Sequence, residues 1–557
     1  MIFEGRIASA KLKAMGKITE PPPEDVNHQW WQTGVIYQIY PRSFQDASGD
    51  GIGDLKGIIQ RLGYLQWLGV DCVWLSPIYP SPMADFGYDI SDYQGVDPLF
   101  GTAEDFDELL GQVHSRGMKL VLDLVPNHTS DQHPWFLESR SSKDNPKRDW
   151  YIWHDAGQNG APPNNWLSVF GGHAWEWDET TGQYYYHAFL KQQPDLNWRN
   201  PRVWKAMTDV MHFWLRKGVD GFRVDVMWHM IKDSRLRDNP VVPDSPFSQK
   251  DLIYEYHDPV YSTDQPEVHQ IVRMMRHVTN QYDDRVLIGE IYLPVHKLVT
   301  YYGADKSGVH LPFNFQLLSL PWDSEQIARA IGEYERALPA DGWPNWVLGN
   351  HDRPRIASRV GPSQARVAAM LLLTLRGTPT IYYGEEIGMC DIPIPPEEIV
   401  DPQGLNMPDR NMGRDPSRTP MQWNAGEFAG FSENKPWLRL PHTFRHENVE
   451  AQKEDPYSML TFYHSLIALR KRESVFQTGR YTPVYSDKQL IAFIRENETD
   501  RFLVVLNLSH RPGHLRLKNE TFAGEIIIST ETGRIGLRAE NNFPLSENEG
   551  MIVRLER

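Results

Sequence analysis

Along the chain, short and mostly apolar runs alternate with longer stretches in which apolar residues recur every three or four positions. The first pattern suits a strand buried on both faces, and the second an amphipathic helix. Strand-like runs fall at 35–40, 72–76, 119–125, 221–226, 286–291, 311–315, 346–348 and 380–383. Helical spacing lies between most of them, as in Leu55, Ile58, Ile59, Leu62 and Leu65, or Val203, Met207, Val210, Met211 and Trp214. Thr102 and Asp105 are placed as a capping box ahead of Phe106, Leu109, Leu110 and Val113, and Gly117 stops that helix. Eight such units predict an α/β fold, a parallel sheet closed into a (β/α)8 TIM barrel. A loop-rich insertion full of Trp, Asn, Gly and Pro interrupts the pattern after the third strand. Past about residue 475, strand-like runs at 488–495, 501–508, 525–529 and 551–555 follow one another without helices. They predict a separate C-terminal antiparallel β-sandwich. The expected organisation is a tail at 1–28, the barrel at 29–126 and 201–474, the insertion at 127–200 and the β domain at 475–557.

Composition narrows the function. A net charge of −16 over 557 residues argues against nucleic acid or an anionic membrane surface as partner, because either requires a basic face. No apolar run approaches bilayer-spanning length, and Met1 to Glu20 lack the hydrophobic stretch of a secretory signal. Cys72 and Cys390 are expected to be free thiols rather than a disulfide. The expectation is a cytoplasmic protein with a small neutral or cationic substrate; nothing in the sequence fixes an oligomeric state. Nineteen tryptophans exceed ordinary usage and suit either core packing or the C–H faces of sugars.

The candidate chemistry gathers at strand ends. Arg223 and Asp225, two residues apart on the fourth strand, point the same way from a run otherwise dressed for burial. Alone they would be a buried ion pair. The third strand, however, is followed by Asn127-His128 and itself carries Asp123; the fifth ends in Gly289-Glu290, and the seventh in Asn350-His351-Asp352. In a β/α barrel these ends surround one pocket. A carboxylate pair flanking an acetal can hydrolyse it, one as acid and the other as nucleophile or base. Asp225 beside Arg223 is expected to stay ionised, and Glu290 among Ile288, Ile291 and Tyr292 to be raised towards an acid's range. Zinc or manganese hydrolysis is the competing chemistry, disfavoured by the missing H-E-x-x-H pattern and by an arginine among the ligands. Asp46-Ala47-Ser48-Gly49-Asp50-Gly51-Ile52-Gly53-Asp54 matches the first half of a calcium loop, although Gly57 stands where an EF-hand glutamate would. An acidic, glycine-rich turn is the plain alternative.

These residues are where the sequence resembles the α-amylase family of glycoside hydrolases (family 13), in its α-glucosidase and oligo-1,6-glucosidase branch. The resemblance covers about residues 30–557 and rests on Asp123-Leu124-Val125-Pro126-Asn127-His128, Gly221-Phe222-Arg223-Val224-Asp225, Gly289-Glu290 and Asn350-His351-Asp352. It implies a retaining mechanism on α-glucosidic bonds. Asp225 would be the nucleophile forming a glucosyl-enzyme, Glu290 the acid/base, and Asp352 the group holding sugar hydroxyls. His128 and His351 would bond sugar hydroxyls, and Arg223 would orient Asp225. Asp85-Phe86-Gly87-Tyr88-Asp89 resembles the branch's motif after the second strand, in which Asp85 and a later arginine close the pocket behind the terminal glucose and Tyr88 stacks on that sugar. Arg418, in the loop from Arg414 to Trp423, is the expected partner of Asp85. Phe170 and Phe189 correspond to aromatic pocket walls. The branch also implies a structural Ca or Mg ion on Asp46, Ser48, Asp50, Asp54 and the Ile52 carbonyl, with Ser48 where Asn is common.

The expected activity is exo-acting release of glucose from short, maltose-like oligosaccharides, with transglucosylation open to any retaining enzyme. Gln193-Pro194-Asp195-Leu196-Asn197 and Val226 resemble the oligo-1,6-glucosidase pattern, whereas the residues after Val226 and Glu290 look more like α-1,4-directed relatives. Isomaltase, sucrose- and trehalose-directed activities are the enzymatic alternatives. The non-enzymatic one is a transporter-partner subunit of the same fold, against which the three intact carboxylates speak.

Overall fold

The computed structural model describes residues 28–517 and 522–556. The expected tail lies outside them except for His28. The eight apolar runs form eight strands: β1 Ile36–Ile39, β2 Cys72–Leu75, β3 Lys119–Leu124, β4 Gly221–Val224, β5 Val286–Gly289, β6 Leu311–Asn314, β7 Asn345–Val347 and β8 Thr378–Tyr382. They are parallel and in chain order, and β8 returns to β1 through Ile36↔Thr380 to close the barrel. Burial on both faces explains why they read as continuous apolar runs rather than as alternation.

Helix boundaries follow local chemistry. Thr102 Oγ1 accepts from the Asp105 N–H and the Asp105 carboxylate accepts from the Thr102 N–H, which closes the capping box of Ala103–Ser115. Helix Pro201–Lys217 starts on the Asn200 side chain and ends at Gly218 in a left-handed conformation, which turns the chain directly into β4. Gly221, the first residue of β4, has φ 151°, and a Cβ there would stand 2.1 Å from the Val286 carbonyl. No side chain fits between these strands at that level.

The insertion after β3 contains helix Pro134–Ser141 and a three-stranded antiparallel sheet in the order Trp153–His154, Gln183–Tyr186, Trp175–Asp178. Two further excursions, residues 225–267 after β4 and 383–458 after β8, carry only short helical turns. At the C-terminus six antiparallel strands form one sheet, and Gly513–Arg516 pairs with Asn542–Leu545 in a second. Alternation along the six-stranded sheet divides its residues between two cores. Ile491, Phe493, Val504 and Ile552 join the barrel core, while Leu490, Ala492, Val505 and Val553 face the smaller sheet. Among the described residues, no helix is long and apolar enough to cross a membrane.

Candidate active site

Strand register builds the site. Asp123 of β3 pairs with Arg223 of β4, and Val224 with Gly289, which lifts Glu290 just past the end of β5. Arg223 is fully buried and serves three carboxylates. Its Nη1 donates to Asp123 Oδ1 and to Asp225 Oδ1, each at 2.7 Å. Its Nη2 stands 2.8 Å from Glu290 Oε2, as an ion pair without the angle of a hydrogen bond. Asp123 is fixed further by Trp74 Nε1 at 3.2 Å and Tyr88 Oη at 3.0 Å. Arg223 therefore contacts Asp225 and Glu290 alike.

One guanidinium cannot neutralise three buried carboxylates. Burial first, then mutual repulsion, raises Asp225, and burial raises Asp123 to about 6; both outweigh the pull of Arg223. Glu290 is raised by burial, with Arg223 and the Val226 N–H opposing. This corrects the expectation that Asp225 is held ionised by its arginine. The three carboxyls titrate together as one cluster, in which burial favours the protonated form and Arg223 the ionised one.

The residue after Asp225 has an unusual backbone. Val226 lies in the left-handed region, with φ 35° and ψ 47°, a strained place for a β-branched side chain. This conformation aims its N–H at Glu290 Oε2, 2.7 Å away.

Asp352 has a different environment. Burial would raise it, but His351, Arg414, Arg418 and Arg223 together hold it below the usual carboxylate range. A quarter of its side chain is open to the pocket. His351 is driven by burial down to about 3 and is neutral. Gln38 Nε2 donates to its Nδ1 at 2.8 Å, which places the imidazole proton on Nε2, 3.3 Å from Asp352 Oδ2. The His351 ring is stacked between Tyr40 and Tyr88, with centroids at 5.8 and 5.2 Å. Tyr88 thus has one face covered by His351 and is itself buried.

The end of the pocket departs from the expectation. The partner of Asp85 is Arg414, whose Nη2 donates to Asp85 Oδ1 at 2.6 Å; it is not Arg418. Arg418 instead donates from Nε to the His351 carbonyl at 2.8 Å and from Nη2 to Asp352 at 3.2 Å. The turn Asp415–Ser417 separates the two arginines, which converge on Asp352 Oδ1 while only Arg414 reaches Asp85. Buried Asp401 braces Arg414, accepting from its Nε at 2.8 Å, and lies 3.7 Å from Arg418 Nη1. On the other flank Asp85 Oδ2 accepts from Gln193 of the insertion at 3.1 Å. Arg414 also lies over the Phe170 ring at 4.8 Å, and Phe170 meets Phe189 edge-on at 5.6 Å. The two phenylalanines therefore stand beside the Asp85–Arg414 closure.

His128 is buried, and both of its ring nitrogens face protein groups. Nδ1 lies 3.1 Å from Asn127 Nδ2, and Nε2 lies 3.1 Å from the Tyr88 carbonyl. Behind it Lys232, also buried, donates to Asn127 Oδ1 at 2.8 Å and makes a short contact with Asp195 of the insertion. Sequence reasoning missed Lys232. Its signal was a lone lysine in the apolar run Met227-Trp228-His229-Met230-Ile231, where a charge needs a partner. Arg414 stood in the quoted loop, but nothing in the sequence chooses between two arginines four residues apart.

The Asp46 to Asp54 loop is closed by hydrogen bonds, none of which involves these carboxylates. Asp46 accepts from the Gly49 and Gly51 N–H groups at 2.7 and 2.8 Å and from Ser432 Oγ at 2.6 Å. Asp54 caps helix Leu55–Leu68 through the Gly57 N–H and also accepts from Ala47 and Ser48. Asp50 accepts from the Ile52 N–H. Among the described residues, no three His, Cys, Asp or Glu side chains converge as a metal group requires.

Comparison with known proteins agrees with this geometry. A model of the alpha-amylase catalytic domain matches residues 38–479. The chain is 42% identical over 521 residues to an oligo-1,6-glucosidase of Heyndrickxia coagulans, covering 86% of this chain and 92% of that one. It is 41% identical over 536 residues to a salivary alpha-glucosidase of Anopheles gambiae, covering 91% and 90%. Among solved structures, the alpha-glucosyl transfer enzyme XgtA superposes with a TM-score of 0.90 at 39% identity, covering 95% of this chain and 100% of that one. The trehalulose synthase MutB of Pseudomonas mesoacidophila gives 0.88 at 34%, covering 95% and 100%.

Proposed function

The chain belongs to the α-amylase family of glycoside hydrolases, and on that premise we propose that it is an exo-acting, retaining α-glucosidase of short, maltose-like oligosaccharides. The observation that carries the mechanism is the single guanidinium of Arg223 shared by Asp225 and Glu290. Two carboxyls drawn together on one guanidinium suit a nucleophile and an acid/base of a retaining enzyme. Asp225 attacks the anomeric carbon while Glu290 gives its proton to the leaving oxygen, and the glycosidic bond breaks. Glu290, now anionic, takes a proton from water, which attacks the anomeric carbon and releases Asp225. Burial of Glu290 favours the protonated form that the first step needs, and Asp352, held ionised by its neighbours, is suited to hold sugar hydroxyls.

The exo character is supported by the buried Asp85–Arg414 pair, which blocks one end of the pocket. Relatives named for α-1,6 linkages and for glucosyl transfer keep isomaltose hydrolysis and transglucosylation as the second reading. Initial rates on maltose, isomaltose, sucrose, trehalose and soluble starch separate these activities. Maltose should lead, and starch turned over faster than maltose would overturn the exo assignment.

The Asp46 to Asp54 loop is retained as a proposed structural calcium or magnesium site on the strength of its hard oxygen donors. In the described conformation the oxygens of Asp46 and Asp54 accept from N–H and O–H groups and no three described metal-binding side chains converge there, so an ion would require the loop to rearrange, and no catalytic step depends on it. A cytoplasmic location is proposed on the two free thiols, Cys72 and Cys390, and is tested by cell fractionation.

A further inference from the structure

Glu385 follows β8 by three residues and is 1% exposed. Its neighbour Glu386 has one oxygen engaged, Oε1 accepting from Tyr37 Oη at 2.6 Å and Tyr64 Oη at 2.8 Å, while its Oε2 has no described partner. Glu385 differs. Neither of its oxygens makes a hydrogen bond to a described group, the Tyr382 amide facing it without the required geometry. No described arginine or lysine comes within ion-pair distance of it. What it touches is backbone: a Cβ on Gly349 would stand 2.3 Å from Glu385 Oε1. Gly349 begins the turn that continues through Asn350 and His351 to Asp352, and Asn350 Oδ1 holds the Asp352 N–H at 3.1 Å. The charged groups bearing on Glu385 are Arg355 and Arg359 from the segment after β7 and Glu386 from its own turn; the Tyr463 hydroxyl, from helix Met459–Arg472, also faces it. Arg355 is fully buried, and its Nη1 is engaged with the Tyr383 carbonyl at 2.6 Å.

A carboxylate without donors in such a place is costly as an anion. Burial accordingly pushes this carboxyl up to about 8, against the pull of Arg355. We propose that Glu385 is a positioning residue for Asp352: as a neutral carboxylic acid it fills the space beneath Gly349 and sets the height of the 349–352 turn. Losing its proton to solvent leaves an unsolvated charge against that backbone and displaces the turn. The inference rests on the assignment of Asp352 to the bound sugar.

The test compares the full-length wild type with Glu385→Gln and Glu385→Ala, measuring kcat and KM on maltose and Tm between about pH 6 and 9. The amide is a neutral isostere of the acid. Glu385→Gln should match the wild type within about twofold near pH 6, and exceed its kcat several-fold near pH 9 with KM little changed. Glu385→Ala should lower kcat at every pH. Wild-type Tm should fall relative to Glu385→Gln as pH rises from about 5 to 8, because the folded state alone keeps the proton there. A Tm difference that is flat with pH, or a Glu385→Gln enzyme as impaired near pH 6 as Glu385→Ala, overturns the proposal. Asp352→Asn is the separate control: if it stays active, the role given to Asp352 fails, and with it the link to catalysis, while the Tm comparison still decides the protonation state.

Discussion

Arg414 and Asp85 make one ion pair, yet removing either end should have unequal consequences. Arg414 bonds three carboxylates: Asp85 at 2.6 Å, Asp401 at 2.6 Å and Asp352 at 3.3 Å. Asp85→Asn takes away one of the three and keeps the contact from Gln193, a loss of about 1.5–3 kcal/mol for one charge-assisted hydrogen bond. Arg414→Ala leaves Asp85 and Asp401 buried with no cation closer than Arg418 Nη1, 3.7 Å from Asp401. Stranding a buried charge costs about 3–5 kcal/mol. A chain of several domains need not unfold in two states, so the comparison is best made by Tm, which moves by about 2 °C per kcal/mol or less at this size. Arg414→Ala should lower Tm by up to roughly 6–10 °C and Asp85→Asn by up to roughly 3–6 °C. Both should lose most of kcat/KM on maltose and gain relative rate on longer maltodextrins, since both open the closed end of the pocket. Arg418→Ala should lower kcat through Asp352 without altering the preference for short chains. Equal Tm losses for Asp85→Asn and Arg414→Ala, or a broadened length range in Arg418→Ala alone, would refute this account of the pocket end.

Asp225→Asn should abolish glucose release, with Tm changed little or raised, because it relieves a repelling cluster; Glu290→Gln should keep partial activity on aryl glucosides, whose leaving groups need no proton. Lys232→Met should loosen the insertion by about 3 kcal/mol through the stranded Asp195, seen as faster proteolysis within residues 127–200, and Lys232→Met with Asp195→Leu should recover much of the loss. For acid stability, burial keeps His351 neutral down to about 3 in the folded chain. The unfolded chain takes up that proton first, so Tm should fall as pH drops from about 6.5 towards 3, and His351→Gln should flatten the slope. Millimolar calcium should raise Tm in the wild type but not in Asp46→Ala with Asp50→Ala; an identical response in both removes the ion from the loop.

The barrel was legible because burial on both faces writes each strand as an unbroken apolar run, and the carboxylates stood out as polar exceptions to it. Asp123, Arg223, Asp225 and Glu290 converge because parallel register alone aligns their strand ends. The choice between Arg414 and Arg418 was not legible. It depends on how one turn directs two long side chains, and no periodicity encodes that. Nor was the upward shift of Asp225, since a cation two residues away in sequence says nothing of how many other carboxylates share it. Lys232 and Glu385 escaped for a related reason: their meaning lies in what surrounds them, residues from the insertion in one case and a glycine from the neighbouring strand end in the other.

The closure of β8 on β1 also governs when the protein can work at all. Gln38 of β1 sets the tautomer of His351 across 313 positions of sequence, and Tyr37 meets Glu386 across 349. A chain emerging from the ribosome presents its first strand long before any lasting neighbour for its outer edge exists. Folding of so non-local a ring is expected to be slow, with that edge exposed to other chains meanwhile. Catalytic activity is then a late signal in refolding: it should lag the recovery of helix content and report the joining of the first and last strands.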